Sequence, residues 1–246
     1  MPESRFAVFS DIHANLEALQ AVLADMDAQG ITRRVCLGDI VGYAANPRQC
    51  LQLVRSLGCK IVKGNHDAAA AGDDALDDMR DVAQSGIEFA RRKLSPEQRA
   101  YLAALPLTIA DGNCEFVHAS RSEPAAWNYI TTEREALDHF AAQTRPLAFC
   151  GHTHVPMALH LGNTGNLRAW GGRGRLELPG GGKTLINVGS VGQPRDLIPS
   201  ACYVICDPDA GWVEFRRIDY DIKKAKRKIY RAKLPRFIGQ RLSIGR

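Results

Sequence analysis

An α/β fold with a two-layered β core flanked by helices is what the 246-residue sequence predicts. Three observations lead there. In the first third of the chain, short apolar runs alternate with stretches of helical period, as strand and helix crossovers do. In the second half, short apolar runs separated by Gly and Pro clusters dominate, the pattern of closely spaced strands. The composition, 45% hydrophobic and 24% charged, is ordinary globular usage and excludes a disordered or fibrous chain.

The elements follow in order. "RFAVF" is a strand, after which Leu16, Leu19, Val22, Leu23 and Met26 recur at helical spacing up to Gly30. Asn15 stands where it can cap that helix. "RRVCLGD" and the stretch from Pro47 to Leu57 repeat the unit, and "CKIVKGNHD" with the small and acidic residues behind it repeats it again. A mostly helical middle is expected from about Ala75 to Ala104, then a hairpin in "TIADGNCEFVHAS" with Asp111-Gly112 at its turn. "LAFCGHTHVPMALHL", "KTLINVGS", "ACYVICD" and "GWVEFRRIDY" read as strands of an added antiparallel sheet, and "GGRGRLELPGGG" as a long hairpin tip. No linker, repeat or low-complexity block divides the chain. Residues 1–246 are expected as one domain, with a basic helical tail over about 221–246.

Seven cysteines, scattered and without a CxxC pair, fit reduced thiols, with Cys36 and Cys150 as core residues. The N-terminus lacks a basic lead followed by a long apolar core, and no apolar run approaches the roughly 18 residues of a membrane span. A cytoplasmic chain is expected. The net charge of +5 is concentrated from Arg216 to Arg246, where Asp219 and Asp221 are the acids. Such a run can meet nucleic acid, but a solvated helix face is the favoured explanation.

The chemistry lies at strand ends. Asp11 and His13, Asp39, Asn65 and His66, His118, then His152 and His154 each follow an apolar run, and ligands gather beyond the carboxyl ends of strands in open α/β sheets. Carboxylate, imidazole and carboxamide without thiolate suit Mn, Fe, Co, Ni or Zn and argue against a structural zinc site. The donors suffice for two ions, and a carboxylate can bridge a pair held about 3.5 to 4 Å apart. Two ions point to phosphoester hydrolysis, with peptide hydrolysis second.

The ordered motifs "DIH", "GDIVGYAANP", "GNHD", "VHAS" and "GHTH", extended by "INVGSVGQPRD", resemble those of the calcineurin-like metallophosphoesterases, and more closely the compact bacterial-type phosphodiesterases than the protein phosphatases. The second motif of the phosphatases reads GDxVDRG, and here Gly42 and Tyr43 replace its Asp and Arg. The resemblance implies a four-layer αββα sandwich of two mixed sheets flanked by helices. It implies Asp11, His13, Asp39 and His154 around one divalent ion and Asp39, Asn65, His118 and His152 around a second, with Mn, Fe, Ni or Zn as the metals. Hydroxide held between the ions would attack phosphorus while His66 protonates the leaving group. Asp67 can support His66 or a ligand from behind, or equally serve as a turn-forming residue, and Arg121 and Arg195 are candidates to grip the phosphate. The implied activity is phosphodiester hydrolysis. A phosphomonoesterase, a dinucleoside polyphosphate hydrolase and a non-catalytic metal-binding scaffold are the alternatives.

Overall fold

A computed structural model describes residues 5–72 and 80–246. The expected helical stretch opening at Ala75 therefore lies, over 75–79, outside the described residues. The chain begins with three strand and helix units: β1 (Phe6–Phe9), α1 (Leu16–Ala28), β2 (Arg33–Cys36), α2 (Pro47–Ser56), β3 (Lys60–Ile61) and α3 (Asn65–Ala71). Two helices follow, α4 (Asp81–Lys93) and α5 (Pro96–Ala103), and then the hairpin β4 (Thr108–Asp111) and β5 (Cys114–Val117). Asp111 pairs with Cys114, so Gly112 and Asn113 are the loop, one residue later than expected. Gly112, at φ +58, supplies the positive φ that a tight hairpin needs there.

The rest comprises α6 (Glu133–Ala142), β6 (Leu147–Cys150), β7 (Met157–Leu161), β8 (Leu167–Gly171), β9 (Gly174–Glu177), β10 (Lys183–Asn187), β11 (Ala201–Asp207), β12 (Trp212–Ile218), α7 (Ile222–Arg231) and α8 (Arg236–Leu242). One sheet runs β3-β2-β1-β11-β12-β9 and the other β4-β5-β6-β10-β7-β8. Both are mixed. In the first, β1, β2 and β3 are parallel while β11 and β12 are antiparallel additions; in the second, β5, β6 and β10 are parallel.

Two expectations are corrected. The second half does not form a separate antiparallel sheet, because β11 and β12 join the first one. "GGRGRLELPGGG" is not a hairpin tip either: β8 pairs with β7, whereas β9 crosses to the other sheet and pairs with β12. Leu176 and Leu178 lie at the crossing. They alternate as strand residues do and pack into the core between the sheets.

The period of two sorts β1 between two cores. Phe6 and Val8 meet Phe116, Phe149 and Ile186 of the opposite sheet, while Ala7 and Phe9 meet Leu19, Val22 and Met26 of α1. On the far side, Val117, Ala148 and Leu185 pack under Phe140 of α6. The result is four layers, helix, sheet, sheet, helix. The basic C-terminal stretch is packed down rather than hanging free: Ala225, Ile229, Ile238 and Leu242 share a core with Ala14, Tyr43 and Ala44. Lys228 and Lys224 reach Glu17 of α1 at 2.5 and 3.5 Å. Among the described residues no helix is long and apolar enough to cross a membrane. All seven cysteines are free thiols, and burial pushes those of Cys36 and Cys150 up, as inert core residues.

Candidate metal centre

The loops after β1, β2 and β3 of one sheet and after β5 and β6 of the other end at the same edge, and there the predicted ligands meet. Asp11, His13, Asp39, Asn65, His66, His118, His152 and His154 are all buried. Five of them, Asp11, His13, Asp39, His152 and His154, have φ between +48 and +66. Residues with a side chain avoid this left-handed region, and such strain gathers at functional sites where the surroundings enforce it.

The two carboxylates divide their oxygens. Asp11 Oδ2 accepts the His152 backbone N–H at 3.0 Å, and Asp39 Oδ1 accepts that of His66 at 2.8 Å. Each keeps its other oxygen for the cluster. Asp11 Oδ1 lies 3.2 Å from His154 Nε2 and accepts no hydrogen bond, while Asp39 Oδ2 lies 3.5 Å from His118 Nε2 and 3.6 Å from His13 Nε2. Gly64 makes the Asp39 approach possible, since a Cβ there would overlap its carboxylate.

The histidine protons can be placed from their partners, because a backbone carbonyl only accepts. Nδ1 of His13 donates to Val41 O (3.3 Å), Nδ1 of His118 to Leu37 O (2.8 Å) and Nδ1 of His154 to Gln193 O (2.6 Å). Each Nε2 is then a bare lone pair. Yet His13 Nε2 and His154 Nε2 stand 3.0 Å apart, and His118 Nε2 stands 3.1 Å from Asn65 Oδ1. Neither contact contains a hydrogen to share. Buried lone pairs that converge on one another repel unless a cation lies among them, so the donor set fits divalent metal.

Electrostatics agree. Burial works to raise the Asp11 carboxyl, but His154, His118 and His13 hold it well below the usual range. Burial, then the Asp11 and Asp67 charges, push Asp39 well above it. The protein alone cannot ionise both carboxylates comfortably, and a cation between them removes the conflict. Burial likewise lowers His13, His118 and His152, and takes His154 to about 4 and His66 to about 3, with Arg195 among the further causes at His13, His66 and His154. The imidazoles are neutral near pH 7, the form that ligates metal. Three groupings are close enough to share an ion: Asp11, His13 and His154; Asp39, His118 and His152; and His13, Asp39 and His66.

The supporting residues also have places. Asn15 Oδ1 caps α1 by accepting Ala18 N–H at 3.2 Å, and its amide donates to Gly192 O at 3.0 Å. Asp67 accepts the backbone N–H groups of Ile40, Val41 and Gly64, so it ties the second and third motif loops together without touching the His66 ring in a hydrogen bond. The His66 ring lies 4.7 Å from both His13 and Tyr43, and its Nδ1 is buried without a partner. Arg195 Nη2 donates to Gln193 Oε1 (3.0 Å) and Tyr43 OH (3.4 Å). Arg121 is held differently, with its Nε 3.8 Å from Glu115. Sequence reasoning did not find Gln193, Trp127 or Tyr129. Tyr129 stacks on His152 with ring centroids 4.1 Å apart, and Trp127 meets His118 edge-on at 6.0 Å. Both aromatics sit in a loop about ten residues past His118, where no periodicity or ligand pattern marks them.

The model of the calcineurin-like phosphoesterase superfamily domain matches residues 5–211. The chain is 41% identical to an uncharacterized protein of Methanocaldococcus jannaschii over 250 residues, the full length of both. It is similar in structure to a metallophosphoesterase from Sphaerobacter thermophilus, at 40% identity and TM-score 0.86 over 98% of this chain and 99% of that one. A hypothetical protein from Pyrococcus horikoshii shares the fold, at 21% identity and TM-score 0.81 over 98% of each chain. With the domain model matched over most of its length, the chain belongs to the calcineurin-like phosphoesterase superfamily.

Proposed function

We propose that the protein is a dinuclear metal-dependent phosphodiesterase. The observation that carries this is the convergence of unprotonated donors, His13 Nε2 on His154 Nε2 and His118 Nε2 on Asn65 Oδ1, with Asp39 Oδ2 facing both sets. Asp11, His13, Asp39 and His154 hold one ion; Asp39, Asn65, His118 and His152 hold the other. Mn, Fe, Ni and Zn suit these donors. Ions in such a site lower the pKa of water from about 15.7 to about 7 and neutralise charge on the phosphoryl oxygens.

The side chains supply the rest. Asp39 is held in orientation by the His66 N–H, and Asp11 by the His152 N–H, so neither turns away from the cluster. Arg195 makes no ion pair with a carboxylate among the described residues, and its planar fork suits two phosphoryl oxygens. Arg121, leaning on Glu115, is the more distant candidate for the same task. His66 delivers a proton to the leaving oxygen. Its ring alone is neutral, so the negative charge of the bound ester must first raise its proton affinity. Residues 1–246 act as one domain, with 221–246 as its basic helical end, in the cytoplasm.

Metal-loaded full-length protein is expected to hydrolyse bis(p-nitrophenyl) phosphate. Chelation should abolish the rate and returned Mn should restore it. Turnover that survives complete loss of metal would refute the proposal.

A further inference from the structure

Beside the metal cluster, on the His118 and His152 side, lies a cavity of about 510 Å³ whose lining includes Trp127, Asn128, Tyr129, Glu135 and Asp138. That volume is in the range of small-molecule sites. The cavity carries two aromatic side chains tied to the metal-side histidines. One face of Tyr129 covers His152, at 24° between ring planes, yet the residue is 48% exposed, so the rest of it meets solvent. Trp127 closes the short 3₁₀ turn Pro124–Ala126 with φ +54, a backbone conformation that a bulky residue holds only under constraint. That backbone turn accompanies the edge-on contact of the indole with His118.

The polar lining narrows the ligand. No lysine or arginine lines the cavity among the described residues, and Glu135 and Asp138 do. A second phosphate is disfavoured there. Glu135 is committed to the Thr131 and Thr132 backbone, whereas Asn128 and the exposed Asp138 offer acceptors for an amino group. A flat, uncharged ring with N–H donors on its edge fits both features.

We propose that this cavity binds the nucleobase of a nucleotide ester, stacked against Tyr129 and Trp127, while the ester phosphate lies at the metal cluster. This rests on the phosphoesterase reading above and adds the substrate class to it. Base stacking on an aromatic side chain tolerates any base, so the platform selects nucleosides over other alcohols more than one base over another.

The test compares two hydrolysis-resistant probes on metal-loaded, full-length protein by calorimetry: the methylenephosphonate analogue of adenosine 5′-monophosphate, and that of ribose 5-phosphate, which lacks the base. The adenosine probe should bind about tenfold more tightly. Tyr129→Ala should erase most of that difference and leave the ribose probe unchanged, and Tyr129→Phe should keep it. Trp127→Leu should reduce it in part. Equal binding of the two probes by the unaltered protein, or equal weakening of both by Tyr129→Ala, would overturn the platform while leaving bis(p-nitrophenyl) phosphate turnover intact. Failure to bind either probe by protein that still turns over that diester would overturn the platform alone, and failure to turn over the diester would overturn the phosphoesterase reading and the platform with it.

Discussion

Asp39→Asn is expected to lower hydrolysis about a thousandfold and strip the protein of metal without unfolding it. Asp39 Oδ2 lies 3.6 Å from His13 Nε2 and 3.5 Å from His118 Nε2, nearer to each than Asp11 Oδ1 at 3.7 and 4.0 Å, and its second oxygen fixes the start of α3 through the His66 N–H. An amide can satisfy one of those tasks with its oxygen but then presents NH₂ hydrogens to the other. Charge stabilisation by bound metal is worth several kcal/mol in the transition state. At 1.36 kcal/mol per tenfold, a loss of about 4 kcal/mol lowers kcat/KM about a thousandfold. Stability should move the other way. Burial and the Asp11 charge already push Asp39 towards neutrality, so the metal-free variant should melt at or above the temperature of metal-free wild type. Added Mn stabilises wild type by about 2.7 kcal/mol at a hundred times Kd, and it should do nothing for the variant. Calorimetric melting of both proteins with and without Mn checks this, beside the rates.

The second large effect separates two neighbours. Asn65→Ala removes the amide oxygen 3.1 Å from His118 Nε2 and should cost the protein one of its two ions. His66→Ala keeps the backbone N–H that orients Asp39, so both ions should stay. Its loss should fall on the proton delivered to the leaving group, about 10²- to 10⁴-fold in kcat for alkyl leaving groups and little for p-nitrophenolate, which leaves without a proton. The geometry makes this a sharp test, since His66 also lies within reach of a site shared with His13 and Asp39. A His66→Ala protein that has lost an ion would make His66 a ligand and not a proton donor.

Much of the cluster was legible in the sequence because the strands that present it are parallel and open onto one edge. β1, β2 and β3 each end in a ligand motif, and so do β5 and β6, so polar residues at run ends were sufficient to collect Asp11 through His154. Contacts that join the two sheets were not legible. Nothing along the chain says that β9 leaves the sheet of β8, because local alternation at Leu176 and Leu178 is the same whichever partner the strand finds. The packing of α7 and α8 beside Tyr43 was hidden for the same reason, behind a charge pattern that reads as solvated surface. Asp67 shows the limit inside a motif: its place after His66 suggested either service to that ring or a turn, and its oxygens hold the backbone of Ile40 and Val41, 27 and 26 residues away. Trp127 and Tyr129 reach the cluster from an irregular loop, for which a single sequence carries no period to read.

The cluster around Asp39 is proposed to hold two divalent ions. Metal content of full-length protein, measured by plasma mass spectrometry after Mn loading and gel filtration, tests it most directly. Two ions per wild-type chain, and one in Asn65→Ala, is the predicted result. Full diesterase activity in a wild-type chain that carries one ion or none would contradict it.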